Sequence, residues 1–120
     1  MATIKSFTSL EQSKKLAKIL PIESADMNYW CGTQIRIGGH RTMDKDLDVP
    51  CWSLAALLDV LPQIIDFKGD KYYLRFMKEY LEYANDEVSI TGICLHTTGN
   101  DNLVDACYEM ILKLHEQNLI

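Results

Sequence analysis

Cysteine and histidine are the residues of this chain whose types and spacing bear most directly on chemistry. There are four cysteines and three histidines in 120 residues. Cys94 and His96 form the one close pair. Alternation along a strand would turn both side chains to one face, where they could share an ion. Structural zinc sites favour locally paired ligands, and no C-x-x-C occurs. A thiol packed as a small hydrophobe beside an exposed imidazole is therefore the expectation here. Cys31, His40 and Cys51 are spaced too widely for a zinc finger. A cysteine nucleophile needs a base and an electropositive setting, and Cys31 or Cys51 with His40 offers only co-occurrence. Cys107 falls on an apolar helical stripe and reads as core.

The carboxylates Asp44, Asp46 and Asp48 alternate as at the start of a calcium loop. Val49 stands where that loop requires Gly, and Ala55 where it requires a bidentate Glu. A solvated acidic loop is the better reading. No serine nucleophile elbow, Walker loop, dinucleotide fingerprint or zincin helix is present. Gly38-Gly39 reads as a turn. The expectation is no catalytic residue, no metal and no cofactor.

Aromatic residues point elsewhere. Trp30, Trp52, Tyr29, Tyr72, Tyr73, Tyr80 and Tyr83 are a large set for this length. Tyr, Trp and Arg dominate binding hot spots. Trp30, Arg36, His40 and Arg41 gather around one predicted hairpin end, and loops on a scaffold carry function disproportionately. Trp30 or Trp52 could wall a small-ligand pocket. The candidate binding residues are thus Trp30, Arg36, His40, Arg41 and Trp52.

These residues must be positioned by a single globular domain. Apolar residues make up 48% and charged residues 24%. A chain of this size buries roughly 65–70% of its unfolded surface and needs no staples. The net charge of −5 argues against a nucleic-acid protein held by a basic surface. The segment MATIKSFTSL lacks the apolar core of a secretory signal, and Leu119-Ile120 is no C-a-a-X box. The expectation is a cytoplasmic protein with reduced thiols. PCWSLAALLDVLP is too short for a membrane span, which takes about 20 apolar residues.

Periodicity supplies the elements. Thr8 and Glu11 form a T-x-x-E box before the helical spacing of Leu10, Leu16, Ala17, Ile19 and Leu20, and Pro21 stops that helix. Ile35 and Ile37 alternate with Gln34 and Arg36, giving two short strands paired across Gly32-Thr33. His40 to Asp48 is a polar loop. Pro50, or alternatively Ser53, opens a helix that is apolar nearly all round and must be enclosed by protein. Ile64-Ile65 begins a strand that runs to Phe67, and Lys68-Gly69-Asp70 turns the chain. Over Lys71 to Ala84 two patterns compete. Tyr73, Met77, Tyr80 and Ala84 would line a helix face, while Tyr72, Leu74 and Phe76 alternate as a strand. The strand is the reading taken, over Lys71 to Met77 and again from Tyr80. Val88 to Leu95 is a further strand, and His96 to Asn100 a loop. Asn102 caps a last helix, whose stripe is Leu103, Val104, Cys107, Met110, Ile111 and Leu114. Asn118, Leu119 and Leu114 have the spacing of a Schellman stop. The predicted fold is α+β: an antiparallel sheet of about four to five strands with three helices, over 8–20, 51–61 and 102–117, packed on one face.

PCWSLAALLDVLP, FTSLEQSKKLAKILPIESADM and DNLVDACYEMILKLHEQNLI resemble a group of small uncharacterised proteins of gut Bacteroides-type bacteria and their phages or mobile elements. The likeness covers about half the chain, in the three helices. It implies a bacterial or phage origin and carries over no functional residue. The functional expectation is a non-enzymatic interaction or adaptor module with a protein partner or self-association. The alternative is a small-ligand domain with an aromatic-walled pocket; a Cys/His enzyme or metal site ranks below both.

Overall fold

A computed structural model describes residues 5–30, 34–37, 48–77, 80–85, 92–98 and 102–120. The protein is an α+β fold in which every pairing among the described strands is antiparallel. Its contacts divide into two compact units, residues 5–60 and 61–120.

The N-terminal unit holds α1 (Leu10–Leu16), a single 3-10 turn (Ile22–Ser24), β1 (Met27–Trp30), β2 (Gln34–Ile37), β3 (Asp48–Cys51) and α2 (Leu54–Val60). The sheet order is β2-β1-β3. The predicted hairpin pairs Met27 with Ile37 and Trp30 with Gln34, while Gly32-Thr33 lie outside the described residues. On the other side β1 pairs Met27 with Cys51 and Asn28 with Pro50. Pro50 therefore belongs to an edge strand, where its missing N–H leaves no ladder bond open. It does not open α2. Ser53 does: its Oγ accepts from Ala56 N at 3.2 Å and its carbonyl from Leu57 N at 3.0 Å.

The cap of α1 is displaced by one residue from the Thr8/Glu11 box. Ser9 Oγ accepts from Gln12 N at 3.2 Å, and Gln12 Oε1 accepts from Ser9 N at 3.0 Å. S-x-x-Q is an equally good capping box. Thr8 is instead fully buried and joins α1 to the residue after β3. Its N donates to Trp52 O at 2.9 Å, and its Oγ1 accepts from Trp52 N at 3.2 Å. Ser13 Oγ lies 2.7 Å from the same hydroxyl. α1 packs on β3. In α2, Ala56 and Leu57 are buried while Ala55 and Asp59 are exposed. The helix thus keeps one wet face, against the expectation of full enclosure, because Ala55 and Asp59 fall on a single side of the turn.

The C-terminal unit is a four-stranded meander with one helix. β4 (Ile64–Phe67), β5 (Asp70–Phe76), β6 (Leu81–Ala84) and β7 (Ile93–His96) lie in the order β4-β5-β6-β7, and α3 spans Leu103–Glu116. Lys68 and Gly69 have φ of 52° and 87°. Two positive φ values in a two-residue loop make a primed turn, whose twist suits a hairpin. The strand reading of Lys71 to Met77 holds in β5, where Tyr73 faces Ile64 and Tyr72 faces Ile65. Of the strand predicted over Val88 to Leu95, Ile93–His96 is realised, and 88–91 lie outside the described residues. His96, expected at the start of a loop, ends β7.

α3 matches its sequence signals at both ends. Asn102 Oδ1 accepts from Asp105 N at 2.8 Å. At the other end Asn118 has φ 58°, Leu119 N donates to Leu114 O at 2.9 Å, and Asn118 N donates to His115 O at 3.0 Å. This is the Schellman pattern of crossed bonds. α3 packs on β6 and β7 and buries Val104, Ala106, Cys107, Met110, Ile111 and Leu114.

The α+β class and the three helices follow the expectation, although α1 ends at Leu16 and does not run on to Pro21, and the described strands form two sheets of three and four. Residues Asp48–Cys51, read as the end of a loop and the start of a helix, supply the third strand of the first sheet. Both edges of β1 are thereby taken. Among the described residues no helix is long and apolar enough to cross a membrane.

Candidate functional site

The two faces of the four-stranded sheet differ most along β4, while β6 is buried on both. Directly opposed residues in an antiparallel pair share a face. Ile65, Tyr72, Leu81 and Tyr83 are buried, and Tyr83 lies near enough to Cys107 of α3 for the two groups to interact electrostatically. α3 covers that face over β6 and β7, while Phe76 at its end is 52% exposed. Tyr83 donates its hydroxyl to Pro62 O at 2.7 Å.

The opposite face carries Ile64 and Tyr73, paired in register, then Arg75 opposite Glu82, and Glu82 opposite His96. Ile64 is 50% and Tyr73 48% exposed. Glu82, in the middle of the sheet, is only 5% exposed. A carboxylate is tolerated there because Arg75 answers it. Arg75 Nη2 lies 3.0 Å from Glu82 Oε1, and Nε donates to the same oxygen at 3.1 Å. A charge removed from water needs such a partner.

Beside this ion pair is an open depression of about 330 Å³, lined by Tyr80, Glu82, Ile93, His96 and Thr97. Its rim is held by hydrogen bonds. Thr97 Oγ1 accepts from Leu81 N at 3.0 Å, and Thr97 N donates to Leu81 O at 3.0 Å. Thr98 then ties the strand end to α3, donating from N and Oγ1 to the two carboxylate oxygens of Glu109 at 2.8 Å each. Tyr80 is set by the hairpin end, where Met77 N donates to its carbonyl at 2.9 Å.

A bulge decides what His96 can do. Tyr83 pairs with Leu95 and Ala84 with Ile93, so Cys94 is an extra residue in β7. The inserted residue resets the alternation. Cys94 lies beside Tyr72 and Tyr83, raising the pKa of both after burial itself, whereas His96 lines the depression on the other face. The shared face expected for Cys94 and His96 is therefore not formed. Among the described residues no three His, Cys, Asp or Glu side chains gather as a metal site.

The thiols are set for packing. Cys51 is fully buried, 3.6 Å from Thr8 Oγ1, and donates to Thr8 O at 3.5 Å. Burial raises its pKa, and burial pushes Cys107 up to about 12. Cys51, Cys94 and Cys107 are free thiols.

Of the residues singled out from sequence, Trp30, Arg36 and Trp52 fall within the described residues. Trp30 ends β1 opposite Gln34 and Asp48, and Arg36 lies in β2 opposite Asn28. His40 and Arg41, with Cys31, Asp44 and Asp46, lie outside the described residues. Trp52 is fully enclosed, and its Nε1 donates to Ser24 Oγ at 2.9 Å. Its ring is a core element and walls no open pocket. Ile64, Arg75, Glu82 and His96 were missed as a group. The i, i+2 spacing of Tyr73 and Arg75 was the visible signal, but it meets Glu82 only through strand register. Comparison with protein-family models, with curated proteins and with solved structures gives no match.

Proposed function

We propose that this protein is a non-enzymatic interaction or adaptor module whose contact surface is the open face of the four-stranded sheet. The pairing of half-exposed Ile64 with half-exposed Tyr73 carries the reading. Large apolar side chains adjoining on a sheet face, next to an ion pair whose carboxylate is buried, have the composition of an interface centre. The protonated state that burial imposes on Cys51 and Cys107 takes both out of nucleophilic chemistry near neutral pH. The likeness of the three helical segments supports a bacterial or phage origin.

Self-association is the form of contact to test first. Sedimentation of the purified chain is expected to show a dimer or higher species, with Ile64→Lys and Tyr73→Lys returning it to monomer. A monomer at all concentrations, with no change in either variant, removes the self-association reading.

A second reading has its own support. Glu82 brings a nearly buried carboxylate to the edge of the depression, and Tyr80 provides one aromatic wall. That is the composition of a small-ligand site, with few polar groups fixed on an apolar lining. Tyr80, and not the enclosed Trp52, supplies that wall.

A further inference from the structure

We propose that the depression beside Glu82 is a binding site for an alkylammonium group, such as a lysine side chain or a primary amine. The inference rests on the open face being a contact surface. It does not depend on what Ile64 and Tyr73 engage.

Three observations converge. The first is the state of the carboxylate. Glu82 is 5% exposed, yet it lines the depression. Both of its described contacts, from Arg75 Nε and Nη2, fall on Oε1. Among the described residues none falls on Oε2. One oxygen is anchored and the other has acceptor capacity to offer.

The second is the lining. Tyr80 and Ile93 are half-buried and apolar over most of their surface. An aromatic ring attracts a cation placed over its face, and an aliphatic wall suits a methylene stem. Volume is not limiting, because a four-carbon ammonium is far smaller than 330 Å³.

The third is the match of charge geometry. A guanidinium recognises carboxylates with two parallel donors, and Arg75 already occupies one oxygen. A single acceptor beside an aromatic ring suits a compact point charge with rotatable donors, which is an ammonium. Arg75 has 43% of its side chain in solvent, so water screens its repulsion of an incoming cation. The chain's net charge of −5 favours cation approach.

The test is a titration of the ¹⁵N-labelled protein with n-butylamine and with Nα-acetyl-lysine methylamide at constant ionic strength. n-Butanol serves as the uncharged control. The expected result is saturable shifts confined to residues 80–84 and 93–97, absent with butanol. Tighter binding of the lysine derivative identifies a partner's lysine as the source. Equal or weaker binding identifies a free amine. His96→Lys places a tethered ammonium on the exposed rim opposite Glu82 and should weaken binding about tenfold or more. Glu82→Gln should abolish it, and Tyr80→Leu should weaken it with the carboxylate intact. No saturable shifts with either amine, or equal shifts with butanol, would overturn the proposal. Amine binding without self-association sinks only the self-association reading; self-association without amine binding sinks only the ammonium site.

Discussion

Arg75 and Glu82 stand directly opposite each other on β5 and β6, with Nη2 3.0 Å from Oε1, at very different depths. The arginine side chain keeps 43% of its surface in water and the glutamate 7%. The carboxylate therefore carries most of the desolvation, and the arginine acts as its cover. Removing the cover exposes an asymmetry that removing both partners does not.

Arg75→Met should destabilise the fold by about 1–3 kcal/mol, because it leaves Glu82 in place without its counter-charge. The double variant Arg75→Met, Glu82→Met should lie closer to the parent than Arg75→Met alone. Urea unfolding of the set checks this. A double variant as unstable as the sum of the two single ones would show that the ion pair is not what sustains the buried carboxylate.

The two ends of α3 make separable predictions. Asn102→Ala removes the side chain that accepts from Asp105 N and should cost about 1 kcal/mol. Asn118 sits at φ 58°, so Asn118→Gly should leave stability unchanged or raise it, while Asn118→Val should lower it by about 1–2 kcal/mol. Thermal unfolding of the three variants reads the order directly.

Trp52 should emit as a buried indole. Trp52→Phe removes the hydrogen bond to Ser24 Oγ and leaves a cavity. A loss of about 1–3 kcal/mol is expected, against about 3–5 kcal/mol for Trp52→Ala. Unfolding should shift the Trp52 emission to the red in a Trp30→Phe background. Quenching by iodide in the folded state would contradict its enclosure.

Alkaline pH should erode stability through the thiols. Cys107 is held protonated in the fold, with a pKa of about 12 against an ordinary value of 9.0. The unfolded chain releases this proton first, so it binds fewer protons than the native state across that window. Stability from this source is complete below about pH 9 and falls as pH rises toward 12. Cys107→Ala should flatten the slope over that range. Thiol labelling of the native protein at pH 8 should reach half-buried Cys94 before Cys51 or Cys107.

Local elements were legible where the signal lies within a few residues. Asn102 and Asp105, or Asn118 and Leu119, are neighbours whose bonds follow from adjacency, and the hairpin of β1 and β2 follows from alternation around one turn. Over Lys71 to Met77 the residues offered both a helix face and strand alternation, and pairing with β4 and β6 decides for the strand. The α1 cap fell one residue away from its box because two boxes overlap, and only the burial of Thr8 against Trp52 chooses between them.

What the sequence determined by itself was therefore the α+β class, the presence of the three helices with the stop of α3, and most of the strands. These depend on backbone propensity and period, which are short-range. The tertiary structure alone decided the division into two sheets, the enclosure of Trp52, and the meeting of Arg75, Glu82 and His96. Each is a matter of register between strands that are distant in sequence. The inserted Cys94 in β7 shows the physical reason most plainly. One extra residue sends two side chains of matching spacing to opposite faces, and no local pattern records where the partner strand will place it.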